Sequence, residues 1–352
     1  MKAKTATENG FKETEIGLIP SDWDVKEFKE CVNKESISRD IKILRGNYNE
    51  VGKYPIIDQG AEFIAGYTDD KDKLYSGNLP IIVFGDHTRI FKFVDFPFSV
   101  GADGTKLIQP KDFLYPKYLF YYVCSLSIPS KGYNRHYKYL KENFIAFPQE
   151  KSEQQKIAST LSKIQQVIEQ QDKIIQTTKE LKKSLMNKLF TEGLHGEEQR
   201  RTEIGLMPTS WKIGMIGDSE TIELIMGQSP PSNTYNTADE GMPFFQGKAE
   251  FGEIYPEVNK YCTTPTRKAQ KDDILLSVRA PVGDVNLSPF TCCIGRGLAA
   301  IRCKSDLNNL FLFNYLIQNK NKIASLGDGS TFKAIGKNTV RNIKFPFPDR
   351  KE

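Results

Sequence analysis

Four cations and three tyrosines share the eleven residues Lys131-Gly132-Tyr133-Asn134-Arg135-His136-Tyr137-Lys138-Tyr139-Leu140-Lys141, and no carboxylate interrupts them. Cations so spaced neutralise phosphates, while Tyr, Asn and Arg side chains reach base edges. Lys131, Tyr133, Asn134, Arg135, His136 and Lys138 are therefore candidate DNA contacts. Further along, Gly329-Ser330-Thr331-Phe332-Lys333-Ala334-Ile335-Gly336-Lys337 leads to Arg341 and Lys344, which adds Ser330, Thr331, Lys333, Lys337 and Arg341. His87 and Arg89, in Asp86-His87-Thr88-Arg89, and Lys248, Arg267 and Arg279 complete the set. A solvated surface face has much the same composition, so either stretch alone is a weak signal.

Catalytic chemistry finds little to stand on. The six cysteines (Cys31, Cys124, Cys262, Cys292, Cys293, Cys303) show no C-x-x-C spacing, and the only histidines are His87, His136 and His195, which argues against a structural zinc site. Cys292-Cys293 reads as a pair of small buried residues in a reducing compartment. Gly295-Arg296-Gly297-Leu298-Ala299-Ala300 matches the dinucleotide fingerprint in letters only: strand, not helix, is expected after it, and Asp306 comes too early. Gln228-Ser229-Pro230-Pro231-Ser232 lacks the acid or amide and the aromatic of the DNA amino-methyltransferase loop. No phosphate loop and no Ser-His-Asp setting is present. The chain reads as a binder. The alternatives are a stand-alone DNA methyltransferase or nuclease, or a coiled-coil protein scaffold.

The elements that would position these residues come in two copies. Thr14-Glu15-Ile16-Gly17-Leu18-Ile19-Pro20-Ser21-Asp22-Trp23 recurs as Thr202-Glu203-Ile204-Gly205-Leu206-Met207-Pro208-Thr209-Ser210-Trp211, with seven of ten positions identical and both tryptophans of the chain included. Echoes follow in order: Tyr54 to Gly60 with Met242 to Gly247, Val100-Gly101 with Ile294-Gly295, and Asn143 to Pro148 with Arg341 to Pro346. The two basic stretches occupy the same place in the two copies, which strengthens both. Short apolar runs at Pro80 to Phe84 and Asp273 to Val278, and aromatic-rich helices at Pro116 to Ser125 and Leu307 to Ile317, predict an α+β fold. At 352 residues, with 49 Lys+Arg against 44 Asp+Glu, the chain has room for two cores and a net charge of only +5.

Between the copies, Ser152 to Phe190 contains neither Pro nor Gly, and Gly193 and Gly196 close it. Ile157, Leu161, Ile164, Ile168, Ile175, Leu181, Leu185 and Leu189 fall at heptad spacing, predicting a coiled-coil helix roughly 55 Å long. Burying eight such side chains is worth at most ~12–24 kcal/mol, so the stripe needs a partner. A second spacer would begin after Pro348, but the chain stops at Glu352. The partner is then either a helix lost by truncation or the same helix of another copy, in a homodimer.

Taken together these features resemble the specificity (S) subunit of type I restriction-modification systems. The marks are the duplicated T-E-I-G-L-x-P-x-x-W segment, Phe147-Pro148 followed by Glu153-Gln154-Gln155-Lys156-Ile157-Ala158, the closing Leu189-Phe190-Thr191-Glu192-Gly193-Leu194, and Leu276-Ser277-Val278-Arg279-Ala280-Pro281-Val282-Gly283-Asp284 with Ile294-Gly295-Arg296-Gly297-Leu298. The resemblance implies two similar target-recognition domains, at 12–150 and 193–348, each reading half of a split site on double-stranded DNA. A spacer at 151–192 would set the gap, and residues 1–11 and 349–352 would be tails. Two modification (methyltransferase) subunits would dock through Gln154 and the apolar stripe, and a restriction subunit would join through the complex. S-adenosylmethionine, ATP and Mg would belong to those partners, with no cofactor on this chain. No apolar run approaches the ~20 residues that cross a bilayer, and Met1 to Gly10 lacks a signal-peptide core, so a cytoplasmic protein without a membrane partner is expected.

Overall fold

The computed structural model describes residues 10–33, 39–102, 104–130, 132, 134–304, 307–327 and 334–348. It divides into two compact units, Met1–Asp172 and Lys173–Glu352, whose boundary falls inside one long helix, Lys151–Glu192. Each unit contains one copy of the repeat, referred to below as the first and second repeat. Both have mixed helix and strand content, as the α+β reading expects.

The two repeats share one topology. In the first, a four-stranded antiparallel sheet runs in the order Val32–Asn33, Thr105–Pro110, Ile81–Gly85, Phe91–Val94. In the second the order is Ile222–Met226, Leu298–Cys303, Ile274–Ser277, Val285–Leu287. The central strands are buried on both faces, which explains their unbroken apolar sequence. Ile82 and Phe84 point into the core with Phe28, Leu119 and Leu140, while Ile81 and Val83 meet Ile57, Phe98 and Val100. Ile274 and Leu276 likewise separate from Leu275 in the second repeat. Each repeat has a second sheet containing a parallel pair, three-stranded in the first and five-stranded in the second: Ile56 and Ile57 opposite Ser99 and Val100, and Phe244 and Phe245 opposite Cys293 and Ile294.

The T-E-I-G-L-x-P segments are β-hairpins, Phe11–Thr14 with Gly17–Pro20 and Gln199–Thr202 with Gly205–Pro208. Gly17 (φ 100°) and Gly205 (φ 121°) take turn conformations closed to side-chain-bearing residues. A strand pair closes each repeat, and here one alignment is corrected. Pro148 pairs with Trp23, whereas Phe347 pairs with Lys212, next to Trp211. The counterpart of Phe147-Pro148 is therefore Phe347-Pro348, not Phe345-Pro346. In Phe345-Pro346-Phe347-Pro348 a two-residue slip keeps every side chain on its face, so the pattern alone could not choose.

The long helix is fastened at its ends by different means. Near its start, Gln154 is fully buried: its Oε1 accepts from Tyr115 N–H (2.7 Å), and its Nε2 donates to the carbonyls of Phe113 (3.0 Å) and Pro148 (2.8 Å). Ala158 is buried and Ile157 packs on the same core. Near its end, Phe190 packs edge-on against Phe311 and Tyr315, at 5.2 and 5.5 Å between ring centres. Among the described residues, no helix is long and apolar enough to cross a membrane.

Candidate nucleic-acid interface

Backbone hydrogen bonds bring the same four chain segments to one corner of each repeat. In the first, Asp86, just after the central strand, donates its N–H to Gly104 (2.7 Å) and accepts from His136 N–H (2.8 Å). Gln59, just after the parallel strand, accepts His87 N–H on its side-chain oxygen (3.2 Å) and Thr88 Oγ1–H on its carbonyl (2.6 Å). Gly101 N–H closes onto Ile57 (2.9 Å). In the second repeat Val278 N–H reaches Gly297 (2.9 Å), Ile335 N–H reaches Val278 (2.9 Å), Gly297 N–H reaches Gln246 (3.1 Å) and Gly295 N–H reaches Phe245 (2.8 Å). Glycine is required at these approaches. A Cβ on Gly297 would sit 2.5 Å from the Gln246 carbonyl, and one on Gly101 would sit 2.4 Å from Asp58 Cβ.

The candidate contacts distribute around these corners unevenly. Asn134, Arg135 and Lys138 are exposed on the approach to the short helix Tyr137–Lys141, with Lys138 Nζ over the Tyr139 ring at 4.7 Å. His87 and Arg89 are half-buried; Arg89 takes a left-handed φ of 64° and its Nη1 donates to Ile128 O at 2.9 Å. Arg267 and Arg279 are exposed in the second repeat, as are Lys337 and Arg341 at the short helix Lys337–Arg341. Lys248 is half-buried and pairs with Asp284 at 3.0 Å, a carboxylate it shares with Lys320 at 2.6 Å. Lys131, Tyr133, Ser330, Thr331 and Lys333 lie outside the described residues.

Two expected contacts turn out to hold the fold together. His136 is 1% exposed, and its Nδ1 lies 2.9 Å from the Asp86 carbonyl, while Asp86 Oδ1 accepts Tyr137 N–H at 2.8 Å. The imidazole pins the basic segment to the corner from inside and is withdrawn from any ligand. Gln154 is likewise enclosed by the first repeat, which removes it from a docking face. The rest of the spacer stripe is at the surface: Leu161, Ile164, Ile168, Ile175, Leu181 and Leu185 are exposed, as are Val167 and Ile174, which the heptad count passed over. Leu189 instead lines a cavity of about 490 Å³ with Phe190, Trp211, Leu307 and Phe311.

Sequence reasoning missed Gln59, Gln246, Lys260 and Arg296. The first two carried a signal, since Asp58-Gln59-Gly60 and Gln246-Gly247 are part of the repeat. Arg296 was hidden inside the discarded dinucleotide pattern; Leu298–Cys303 after it is a strand. Burial, with the Asp86 carboxylate adding to it, raises the Tyr137 phenol above its usual 10.0, so it stays neutral. Among the described residues, no group of three His, Cys, Asp or Glu is placed to hold a metal ion.

Comparison with known proteins follows the same outline. The type I restriction modification DNA specificity domain matches residues 20–180 and 208–352, one match per repeat. A putative type I restriction enzyme MjaX specificity subunit from Methanocaldococcus jannaschii is 36% identical over 379 aligned residues, spanning 98% of this chain and 87% of that one. The MjaVIII specificity subunit of the same organism is 24% identical, with 98% and 87% covered. The crystal structure of a type I restriction-modification S subunit from M. genitalium shares the fold at a TM-score of 0.60 and 18% identity, covering 93% of this chain and 84% of that one. A chain from a structural study of type I complex assembly and conformational transition gives 0.55 and 24%, covering 94% and 86%.

Proposed function

The chain belongs to the type I restriction modification DNA specificity family, and from that premise we propose that it recognises DNA for a restriction-modification complex without performing chemistry itself. Each repeat binds one half of a bipartite site through its corner, and the spacer helix sets the gap. The observation that carries this reading is the corner itself, built twice from the same four segments of one chain. Duplicated binding needs two such surfaces; one active site does not.

In this reading two modification subunits dock on the exposed Leu161 to Leu185 face and supply S-adenosylmethionine chemistry. A restriction subunit supplies ATP- and Mg-dependent steps. A stand-alone methyltransferase is disfavoured because the Pro-Pro loop of this sequence, Gln228-Ser229-Pro230-Pro231-Ser232, lacks the acid or amide and the stacking aromatic of that chemistry. The heptad spacing of the stripe favours a second use, pairing with the same helix of another copy. Sedimentation of the isolated chain decides that point, since a monomer at micromolar concentration removes the homodimer.

The spacer gives the direct test. Removing seven residues from the middle of Lys151–Glu192 takes out about 10.5 Å of helix while preserving heptad register. At about 3.4 Å per base pair along one strand, the gap in the methylated site should shorten by about three base pairs with both half-sites unchanged. A changed half-site sequence with an unchanged gap would overturn the reading.

A further inference from the structure

Four exposed cations gather on loops around the second corner: Lys260, Arg267, Arg279 and Arg296. Main-chain bonds fix each of their backbones. Lys260 O accepts from Phe244 N–H (2.9 Å) and Arg267 O from Ile294 N–H (2.9 Å). Arg279 bridges to Ala334, and its carbonyl accepts from Ser277 Oγ (3.0 Å). Arg296 donates its N–H to Ser229 Oγ (3.2 Å) and is flanked by the anchored Gly295 and Gly297. Their charged groups are another matter. Among the described residues, none makes a hydrogen bond or an ion pair through its ammonium or guanidinium. The nearby carboxylates are already engaged: Asp284 by Lys248 and Lys320, and the buried Glu250 by the Gly247 N–H at 3.1 Å.

A side chain that reads a base must be held by its neighbours to within about 0.5 Å. These four are not held. Long cations swinging from fixed anchor points suit phosphates, which accept from many directions and carry no sequence information. Building on the DNA-recognition reading above, we propose that Lys260, Arg267, Arg279 and Arg296 form a phosphate clamp that grips the duplex at the second half-site without reading it.

The first repeat lacks this clamp. Strand register gives three counterparts directly: Lys260 falls where Gly66 does, Arg267 where Lys73 does and Arg279 where His87 does. Arg296, between Gly295 and Gly297, stands where the sequence of the first repeat has Ala102-Asp103 between Gly101 and Gly104. One cation remains of the four, and Lys73 Nζ is already bonded to the Asp40 carbonyl. The clamp therefore makes the two half-sites unequal in their dependence on salt.

The test measures binding by the chain assembled with its modification subunits, between 50 and 200 mM salt. One probe is a duplex carrying the methylated site, and the other is a random-sequence duplex. Each of Lys260→Gln, Arg267→Gln, Arg279→Gln and Arg296→Gln should lower the slope of log affinity against log salt by about 0.9. Affinity should fall by a similar factor on both duplexes, the methylated motif should not change, and Lys73→Gln should leave the slope nearly intact. Relaxation of the motif at one base, or an unaltered slope in the quadruple variant, would overturn the clamp. Failure of the wild-type complex to prefer its own site would instead sink the recognition reading on which the clamp rests.

Discussion

The two repeats use one backbone for different electrostatic purposes. At the corner the second repeat offers four uncommitted cations where the first has glycine, histidine, an alanine-aspartate pair and a lysine already bonded. Inside the main sheet the contrast continues. Arg302 in the second repeat donates Nε and Nη2 to the two oxygens of Asp273 at 2.8 Å each, and Nη1 to Glu223 at 2.8 Å. The corresponding residues of the first repeat are the uncharged Gln109, Ile81 and Asn33. The reverse holds one strand over, where the first repeat buries Lys92, 4% exposed, and the second has Asn286, 1% exposed. Hydrogen-bonded backbone and apolar alternation are what the duplication kept. The polar side chains were free to diverge wherever a local partner could satisfy them.

Three measurements sharpen that comparison. The largest effect is expected at Asp273, which is 1% exposed. Asp273→Ala leaves the Arg302 guanidinium with only Glu223 and should lower the stability of the second repeat by about 3 kcal/mol in denaturant unfolding. The first repeat, with no ion pair at this position, should unfold as before. Next comes the helix anchor. Gln154→Ala strands one N–H and two carbonyls in the first repeat and should cost about 2–3 kcal/mol. Phe190→Leu at the other end loses only part of an aromatic contact and should cost about 1 kcal/mol.

The smallest effect is a pH dependence. Lys92 Nζ donates to the carbonyls of Asp58 (2.8 Å) and Glu62 (2.5 Å), with Asp58 Oδ1 at 3.8 Å. Burial nonetheless lowers its pKa below 10.5, since desolvation outweighs those carboxylates. Between that lowered value and 10.5 the unfolded chain binds more protons than the folded one, so stability rises with pH across this alkaline window. Lys92→Asn, which copies the second repeat, should abolish this rise, so that the stability of the wild type relative to the variant grows with pH across the window. An unchanged slope would show that the ammonium is solvated in the folded chain.

Much of this architecture was legible in the residues. The tryptophan-bearing repeat located both copies because few sequences satisfy a hairpin, a turn glycine and a packed indole, half-buried at Trp23 and buried at Trp211, at once. The buried central strands and the long helix announced themselves through apolar runs and the absence of Pro and Gly. The corners were only half legible. Basic, aromatic-rich stretches lead to the corners, yet composition could not separate exposed Arg135 from buried His136 one residue away. Gln154 looked like surface because glutamine usually is; only the fold supplies the three backbone partners that bury it. Arg296 was lost because its glycines matched a familiar pattern, and their real purpose, passage beside Gln246, depends on a strand about fifty residues away in sequence.

The central claim is that two separate surfaces of this chain select DNA together. The most direct measurement is the motif methylated by the chain assembled with its modification subunits on a random-sequence duplex library. The account predicts two specified blocks separated by a gap of fixed length and no base preference. A single uninterrupted block, or a gap whose length varies freely, would contradict it.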